Sequence, residues 1–551
     1  MKTQPTQILS SPQPAVLRRM GQFALGLLLL AGSAQAQEPT RVPFERIRDS
    51  GRDAGNWLTY GGNYSSHRHS TLTEITPANV ANLKTLWVYQ QADTSKWEVT
   101  PIVVDGIMFI SERPNIVTAL DARTGRPLWN YRRPFPDDVR ICCGTPNRGL
   151  AVLGDAVYLC TFDAHLVCLD ANTGLERWDV VVDDYRKGYS MTAAPLAVKD
   201  KIVVGVAGAE FGVRSFVDAF DAKTGERAWR FWTVPGKGEP GNETWGSGDS
   251  WKSGGGSTWV TGSYDPELNL IYWGTGNPAP DYNGDDRPGD NLYTCAEIAL
   301  DADTGKLKWH FQFTPHDVHD WDSCQTPVLF DAMVDGKRRK MLSHTNRNGM
   351  YYALDRTTGQ FVAGGAFSHQ TWAKGLDDSG RPILIPNLEP TPEGVLVYPG
   401  LGGAVNWPPP SYSPVTGLIY VNAQEDYGQH YFKQPRAYKE GDHFENGGGR
   451  NVLGSEPYGV LKAINAATGK IAWEHKMPTW GYSPVLSTIT GLVFTGTGQG
   501  DFYAVDANNG KLLWTFPGGS RINGGAISYL VDGKQRLAVP IGAGLFVFGL
   551  N

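Results

Sequence analysis

The stretch ALDARTGRPLW, residues 119–129, has the pattern of a β-hairpin with a tight turn. Apolar residues alternate before Asp121, whose side chain can hydrogen-bond its own backbone and open a turn. Gly125 then supplies a positive φ, and a second strand begins that ends in Trp129. The stretch therefore predicts two antiparallel strands joined by a turn that runs from Asp to Gly.

The same phrase returns along the chain at intervals that define a structural repeat. The aspartates of the first three copies, Asp121, Asp170 and Asp221, are about fifty residues apart, which leaves room for two more strands in each unit. We therefore predict four-stranded blades, with the repeated Trp packed as a wedge between neighbouring blades. The further copies are CLDANTGLERW (168–178), AFDAKTGERAW (219–229), ALDADTGKLKW (299–309), ALDRTTGQFV (353–362), AINAATGKIAW (463–473) and AVDANNGKLLW (504–514).

The number of blades follows from the seven copies and one long gap. The gap between Asp355 and Asn465 has room for one more blade, around SYSPVTGLIYV at 411–421. We predict an all-β, eight-bladed β-propeller, closed by pairing a strand at 86–90 with the C-terminal blade. A solenoid is the alternative, but it would leave exposed strand edges that ring closure hides. A propeller of this kind can also be a non-catalytic scaffold, so function has to be argued from other residues.

Residues 1–36 have the pattern of an export signal. Two arginines precede an apolar run at 23–30, and a small-residue Ala-Gln-Ala sequence ends at Ala36. A membrane anchor is the alternative, but the run is too short to cross about 30 Å of hydrocarbon. We therefore expect cleavage near Ala36, a periplasmic location, and a single propeller domain over 37–551.

The charge and the cysteines restrict the class of protein further. The formal charge of −6 becomes −9 when the three cations of the signal are removed, which argues against nucleic-acid binding. Six cysteines in 551 residues do not make a disulfide scaffold, and no C-x-x-C-H motif occurs, so no fused cytochrome c domain is expected. The adjacent Cys142 and Cys143 could be a vicinal disulfide or two reduced cysteines. The four others, Cys160, Cys168, Cys295 and Cys324, are predicted to be buried small hydrophobes.

Several polar segments interrupt the repeat at similar places in successive units. In a propeller such positions lie near the central axis, where many blades can build one small-molecule site. The segments are WEVTP with Glu98, RICCGTPNRG with Arg148, AGAEFGVRS with Glu210, GGGSTW with Trp259, WGTGNPAP with Asn277, HDVHDWD with Asp320, TNRNG with Arg347 and GGAVNWPP with Asn406.

Taken together, these segments resemble the quinoprotein alcohol dehydrogenases, the methanol/ethanol dehydrogenase family that uses pyrroloquinoline quinone (PQQ). The motifs are CC-x(4)-RGL, GAE-x-GVR, GTGNPAP and HD-x-x-D-x-D, and the resemblance extends from about Trp57 to the C-terminus. It implies an eight-bladed propeller, in agreement with the repeat. It also implies oxidation of an alcohol to an aldehyde or ketone, with hydride transfer to C5 of PQQ.

The resemblance assigns the cofactor-binding positions. It implies that Cys142 and Cys143 form a disulfide over one face of the quinone and that Trp259 covers the other. A planar, multiply anionic cofactor also needs fork-shaped guanidinium donors, which Arg148 and Arg347 can supply. The remaining positions implied are Glu98, Thr161, Gly208, Ala209, Ser257, Asn406 and Trp480.

The resemblance also assigns a metal site and a catalytic base. Glu210 and Asn277 match the metal ligands, and Asp320 matches both a ligand and the base, with Arg347 assisting at the quinone. Each residue has an alternative reading when taken alone: Glu210 could form a salt bridge with Arg214, and Asn277 could cap a turn. Oxygen ligands of this kind suit a calcium-like cation.

Asp322 bears on the identity of the metal. In an extended segment Asp320 and Asp322 would share one face, and their repulsion would need a cation between them. Lanthanide-using members of the family carry an aspartate at this place, and a trivalent ion gains most from an extra carboxylate. We therefore favour a lanthanide over Ca²⁺; in the alternative reading Asp322 only hydrogen-bonds a loop. His316, Asp317 and His319 are expected to orient Asp320 rather than to bind zinc.

The expected partners follow from the same resemblance. Without a haem motif, the electrons should pass to a separate soluble or membrane-bound cytochrome c, while a homodimer is left open. A small alcohol is the expected substrate, with a sugar, polyol or polymer alcohol as the alternative. The loops at 280–292 and 425–455 are expected to shape the pocket, and substrate entry or a partner contact is expected at 425–455.

Overall fold

Antiparallel β-sheets are the main regular secondary structure of the part of the chain that the structure describes. The computed structural model describes residues 40–452 and 456–550, so the predicted signal at 1–36 lies outside the described residues. Within these ranges no helix is long and apolar enough to cross a membrane. The α-helix is Phe44–Arg48, and the 3-10 segments are Ser50–Arg52, Val80–Asn82, Tyr185–Lys187, Ala209–Phe211, Asn242–Trp245 and Ser250–Ser253.

The described residues form eight sheets of four or five strands, the number of blades that the sequence predicted. Sheet 1 contains Ile102–Val104, Ile107–Glu112, Ile116–Asp121 and Pro127–Arg132. Sheet 2 contains Ala151–Leu153, Ala156–Cys160, His165–Asp170 and Glu176–Val181. Sheet 3 contains Leu196–Val198, Lys201–Gly205, Phe216–Asp221 and Arg227–Trp232. Sheet 4 contains Ser263–Asp265, Leu270–Gly274, Ala296–Asp301 and Leu307–Gln312.

The second half of the chain supplies the other four sheets. Sheet 5 contains Val328–Val334, Lys337–Thr345, Met350–Asp355 and Phe361–Ala366. Sheet 6 contains Ser411–Ser413, Leu418–Glu425, Tyr458–Asn465 and Ile471–Lys476. Sheet 7 contains Leu486–Thr488, Leu492–Gly496, Asp501–Asp506 and Leu512–Pro517, with His69–Ser70 added in parallel. Sheet 8 contains Ile527–Val531, Lys534–Ile541, Gly544–Gly549 and Lys84–Gln90.

The sheet that lacks the repeated phrase is not where the sequence predicted it. Residues 411–421 contribute to the first two strands of sheet 6, whose last two strands carry the copy at 463–473. The prediction of a separate blade at 411–421 was therefore wrong, because the phrase marks only the third and fourth strands of a sheet. The extra length goes instead into two small sheets. These contain Ala373–Leu376 with Pro382–Leu384, and Val395–Val397 with Gln429–Lys433 and Gly447–Asn451.

Sheet 8 closes the ring and confirms the predicted pairing of the two ends of the chain. Lys84–Gln90 lies antiparallel to Gly544–Gly549, with Val88 opposite Phe546. The ring of Trp87 covers Gly125 of sheet 1 so closely that a Cβ on this glycine would clash with the indole. The eighth sheet is thus joined to the first by the same contact that the repeat predicts between neighbours.

The repeated Trp is the wedge between neighbouring sheets. Trp129 of sheet 1 packs on Gly174 of sheet 2, and its Nε1 donates to Ala171 O at 3.1 Å. The same donation, at 3.0–3.2 Å, joins Trp229 to Ala302, Trp309 to Arg356 and Trp473 to Ala507. Each of these four indoles therefore buries an apolar face and satisfies its one donor at the turn of the next sheet, whereas Trp178 Nε1 is buried without a hydrogen-bond partner.

The turn of each phrase has the predicted chemistry. Asp121 Oδ1 accepts a hydrogen bond from Arg123 N at 2.8 Å, and Gly125 adopts a φ of 73°. This left-handed backbone, which favours glycine, lets the chain reverse within five residues. The four cysteines predicted as buried thiols are buried and unpaired with one another, at positions 160, 168, 295 and 324.

Candidate active site

Two kinds of loop from successive sheets supply the polar residues of the predicted site. One kind precedes the first strand of a sheet and the other joins its second and third strands; because adjacent strands run in opposite directions, both lie at the same end of the sheet. Arg148 belongs to the first kind in sheet 2, as does Asp320 in sheet 5. Arg347 belongs to the second kind in sheet 5. This arrangement explains why residues far apart in sequence meet.

These loops enclose a cavity of about 290 Å³. Trp259 and Trp407 give it aromatic walls, while Lys96, Arg148 and Arg347 bring positive charge. Ten predicted site residues line it: Cys142, Cys143, Arg148, Gly208, Glu210, Trp259, Asp320, Asp322, Arg347 and Asn406. The structure thus brings together most of the residues assigned by resemblance.

Two further predicted residues are bonded to this wall from behind. Glu98 is buried, with 2.7 Å between its Oε2 and Arg148 Nη2 and 2.9 Å between its Oε1 and Lys96 Nζ. Asn277 is also buried, and its backbone N donates to Asp322 Oδ1 at 3.0 Å. Glu98 therefore orients cations that face the cavity, and Asn277 orients a carboxylate.

Four predicted cofactor contacts do not line the cavity: Thr161, Ala209, Ser257 and Trp480. Thr161 Oγ1 accepts a hydrogen bond from His165 N at 3.1 Å across the turn between the second and third strands of sheet 2. Trp480 is 44% exposed, with the Arg521 guanidinium 5.8 Å from its ring. Their contacts with a cofactor stay predictions.

Cys142 and Cys143 form a disulfide in the structure, as the resemblance implied. Their ring lines the cavity beside Glu210, with 3.1 Å between Cys142 Sγ and Glu210 Oε1. Although the two sulfurs and this carboxylate lie within 4.8 Å of one another, disulfide sulfurs are not thiolate ligands. The disulfide therefore acts as a wall of the cavity and leaves cation binding to the oxygen atoms.

Arg148 is held at the cavity wall by two indoles, a hydroxyl group and the carboxylate of Glu98. Its guanidinium lies 4.7 Å from the ring of Trp259 and 5.0 Å from that of Trp407, while Nη1 donates to Thr192 Oγ1 at 2.7 Å. Together with the Glu98 pair, these contacts fix a positive charge between two indoles. Such a group suits a planar anion.

Asp322 accepts three hydrogen bonds in the structure. Its Oδ2 accepts from Arg347 Nη1 at 2.7 Å and from Trp259 Nε1 at 3.0 Å, and its Oδ1 accepts from Asn277 N. Asp322 therefore hydrogen-bonds a loop through Asn277 N, as the alternative reading expected. The side chain also lines the cavity, so it is available to a cation there.

Few positive charges lie among the carboxylates beside Asp322. Burial, together with the charge of Asp322, raises the pKa of Glu210 to about 7. Burial also raises the pKa of Asp320 well above its usual range, and the charges of Asp322 and Glu210 act in the same direction against Arg347. One guanidinium among these acids leaves an excess of negative charge that a bound cation would stabilise.

The segment around Asp320 is not extended, so the predicted alternation of faces was wrong. No strand includes residues 313–327, and Asp320 adopts a φ of 58°. Asp320 and Asp322 nevertheless both line the cavity, because the turn brings them there. Asp317 Oδ2 accepts from Trp321 N at 3.0 Å, so its carboxylate stabilises the turn that carries Asp320.

The two histidines of this segment bind backbone oxygens elsewhere. His316 Nδ1 lies 2.9 Å from Gly289 O, and His319 Nε2 lies 3.0 Å from Leu388 O. Neither bonds to Asp320 directly, so they fix the segment rather than the carboxylate. The predicted orienting role belongs in the structure to Asp317 and to Arg347.

Sequence reasoning missed several residues of the cavity wall. Trp407 directly follows Asn406 inside the GGAVNWPP segment, and Lys96 directly precedes the WEVTP segment. Tyr482 also lines the cavity, two positions after Trp480. An aromatic pair just before the first strand of sheet 7 was the signal that could have indicated Tyr482.

Comparison with known proteins agrees with this geometry. Residues 57–364 match the family described as glucose/ethanol/alcohol dehydrogenase, beta-propeller domain. The chain is 39% identical to the quinoprotein alcohol dehydrogenase PedH of Pseudomonas putida, over 95% of this chain and 91% of that protein. This chain belongs to the PQQ-dependent alcohol dehydrogenase family. A second match, over 457–544, is to the family described as outer membrane protein assembly factor BamB.

Solved structures of this family have the same fold. The quinohemoprotein alcohol dehydrogenase of Comamonas testosteroni superposes with a TM-score of 0.87 at 34% identity, over 93% of this chain and 82% of that chain. A europium-containing methanol dehydrogenase superposes with a TM-score of 0.86 at 33% identity, over 92% of this chain and all of that chain. The eight sheets are thus the blades of a PQQ-type β-propeller.

The residues present fit both groups that the family implies. A planar tricarboxylate quinone requires fixed cations and flat apolar walls. The cavity offers Arg148 beside two indoles as the cation, and the indoles and the disulfide as walls. A hard cation requires buried oxygen donors, and Glu210, Asp320 and Asp322 offer them with a negative excess. The cavity therefore suits PQQ together with a metal ion that prefers oxygen ligands.

Proposed function

We propose that this chain is an exported dehydrogenase that oxidises a small alcohol to an aldehyde or ketone, using PQQ and a lanthanide ion. The supporting observation is that one cavity is lined by the Cys142–Cys143 disulfide, by Arg148 and by the acids around Asp320. Each group could have a separate structural role. Their convergence from several sheets on one cavity supports a site for an anionic quinone beside a metal.

Asp320 is the base of the proposed reaction. Its Oδ2 lies 3.5 Å from Arg347 Nη2 and 3.4 Å from the hydroxyl of Tyr282, which leaves the carboxylate positioned and partly unpaired. When bound, PQQ supplies the acceptor for the hydride that leaves the alcohol carbon. Asp320 accepts the proton of the substrate hydroxyl, so that an alcohol loses two electrons and two hydrogens in total.

Glu210, Asn277, Asp320 and Asp322 would hold the cation. Asn277 Nδ2 donates to Pro278 O at 3.3 Å, which leaves its Oδ1 as the ligand atom. A carboxylate-rich site favours a trivalent ion over a divalent one, because the attraction scales with the charge of the ion. We therefore favour a lanthanide, with Ca²⁺ as the alternative.

The location and the electron acceptor are part of the same proposal. The export pattern at 1–36 supports a periplasmic enzyme whose mature part is one propeller domain. The chain has no C-x-x-C-H motif, which supports a separate cytochrome c as the acceptor. The negative charge of the mature chain would attract a basic cytochrome.

Reconstitution of the purified protein tests the proposal. Metal-free protein is loaded with PQQ and either Ca²⁺ or La³⁺, and a panel of primary and secondary alcohols is assayed with a dye acceptor and then with cytochrome c. We expect turnover with La³⁺ to exceed turnover with Ca²⁺. A response to Ca²⁺ alone would contradict the lanthanide assignment, and no turnover with either metal would contradict the enzyme.

A further inference from the structure

Asp281 is a buried carboxylate that the proposed reaction does not use. It ends the GTGNPAPD segment in the loop between the second and third strands of sheet 4 and is 1% exposed. Its Oδ1 is buried without a hydrogen-bond partner. Over the described ranges, no lysine or arginine forms an ion pair with it. A buried carboxylate of this kind is costly unless something positive compensates it.

Asp281 shares the loop between the second and third strands of sheet 4 with the predicted ligand Asn277. Burial raises the pKa of Asp281 well above its usual range, and the charges of Asp320 and Glu210 act in the same direction. The adjacent Tyr282 donates its hydroxyl to Asp320 Oδ2 at 3.4 Å and its backbone N to Glu445 O at 3.0 Å. In the segment that contains Glu445, Phe444 N donates to Glu210 O at 2.7 Å. The loop of Asp281 is thus hydrogen-bonded both to Asp320 and to the segment that contacts Glu210.

Arg287 is the alternative partner, but its Nη1 and Nη2 donate to other groups, and its buried Nε has no hydrogen-bond partner. This buried guanidinium donates to Asn291 Oδ1 at 2.7 Å, to Pro280 O at 2.9 Å and to Asp317 O at 2.7 Å. The charge of Asp317 acts on Arg287 more strongly than that of Asp281 does. Arg287 therefore compensates Asp317 and holds the loop, and it leaves Asp281 without a bonded cation.

A count of the remaining charges indicates what Asp281 does. Glu210, Asp320, Asp322 and Asp281 are four carboxylates, and Arg347 is the guanidinium bonded among them, which leaves three negative charges when all are ionised. We propose that Asp281 is a fourth acid of the cation site and that it matches the charge of the site to a trivalent ion. This inference rests on the proposed function, since it requires a metal beside Asp320.

Metal binding by an isosteric variant tests the inference directly. The full-length protein with PQQ is stripped of metal and titrated with Tb³⁺, whose luminescence Trp259 is placed to sensitise, and separately with Ca²⁺ in competition. The variants are Asp281→Asn and, as a matched control, Asp286→Asn, which removes an exposed acid from the same loop. Thermal unfolding is measured for each protein with and without La³⁺.

We expect Asp281→Asn to weaken Tb³⁺ binding at least tenfold. Because the lost attraction scales with the charge of the ion, the logarithm of the loss for Ca²⁺ should be about two-thirds of that for Tb³⁺. The metal-free variant should unfold at the wild-type temperature or above it, with a smaller stabilisation by La³⁺. The control should bind both ions as the wild type does.

Two results would overturn the inference. One is equal dissociation constants for Tb³⁺ in the wild type and Asp281→Asn. The other is a metal-free variant that unfolds at a lower temperature while its La³⁺ stabilisation is unchanged, which would show a merely structural role. Failure of the proposed function is distinct, because it appears in the wild type as no turnover with PQQ and either metal. If Asp281→Asn does not fold, Asp281→Glu serves instead: it keeps the charge and should keep Tb³⁺ binding within tenfold.

Discussion

Arg347 and Asp322 form a buried ion pair, with 2.7 Å between Nη1 and Oδ2, and the same guanidinium reaches Asp320 Oδ2 with its Nη2 at 3.5 Å. One planar group therefore sets the separation between the predicted base and the predicted extra metal ligand. Its Nε donates to Leu401 O at 2.9 Å, which fixes the plane of the fork.

Replacing Arg347 with lysine should separate geometry from charge. Lysine keeps the positive charge but cannot bond two carboxylates and Leu401 O at once. We expect kcat to fall by about 10- to 100-fold, the cost of losing one or two charge-assisted hydrogen bonds. Steady-state kinetics on PQQ-loaded protein check this. An unchanged kcat would show that the fork does not position Asp320.

The Asp320→Asn variant tests the base. An amide cannot accept the hydroxyl proton, so we expect kcat to fall by about 10²- to 10⁴-fold. PQQ should still bind, because the cofactor contacts assigned to Arg148 and Trp259 are unaltered. The absorbance of the bound quinone measures retention and a dye assay measures turnover. Normal turnover in this variant would refute the assignment.

The repeat could be predicted from sequence because its signals are local. The turn at Asp121 and the left-handed Gly125 are encoded within seven residues, and Trp129 needs only the next turn as its partner. The sheet without the phrase was expected at 411–421 and not at the C-terminus, because the phrase marks only the third and fourth strands of a sheet and a long gap does not show which sheet lacks it. Ring closure itself was predicted, since an unpaired first strand and a last blade short of one strand complete each other.

The site was predictable only in part. Motif resemblance identified Arg148 and Asp322 because their segments break the repeat. Tyr482 and Asp281 were missed because their importance depends on which loops pack against them. The prediction that side chains alternate faces along an extended segment was wrong at Asp320. A positive φ makes a turn there, which residue spacing does not reveal.

The contact of Trp87 with Gly125 predicts where the ring is weakest. Trp87→Ala removes the indole that joins sheet 8 to sheet 1, so we expect a loss of about 3 kcal/mol in the free energy of unfolding. Thermal and urea unfolding measure the change. Leu128→Ala, at a residue 40% exposed on the outer strand of sheet 1, is the control and should change stability little.

His67 predicts a loss of stability in acid. Its Nε2 bonds Leu329 O at 2.6 Å, and burial lowers its pKa to about 4. The unfolded chain takes up this proton near pH 6.5 and the folded protein does not, so stability is lost as the pH falls from 6.5 towards 4. His67→Gln should reduce the loss between pH 7 and pH 5 by about 1–2 kcal/mol.

Unfolding temperatures of the two proteins across this pH range provide the measurement. His430→Gln replaces an exposed histidine and should leave the pH profile as it is in the wild type. Parallel profiles for the wild type and His67→Gln would show that His67 is protonated equally in both states.

Asp322→Ala should change the choice of metal. The carboxylate accepts hydrogen bonds from Trp259, Arg347 and Asn277 N, and its removal takes one negative charge from the cation site. We expect the affinity for La³⁺ to fall more than the affinity for Ca²⁺, by about tenfold or more in the ratio, because the trivalent ion loses more attraction. Asp322→Asn distinguishes charge from hydrogen bonding, since the amide oxygen can still accept from Arg347. If both variants shift the La³⁺-to-Ca²⁺ ratio alike, the charge of Asp322 sets the preference; if only alanine does, the preference comes from the hydrogen bonds that hold Trp259 and Arg347 in place.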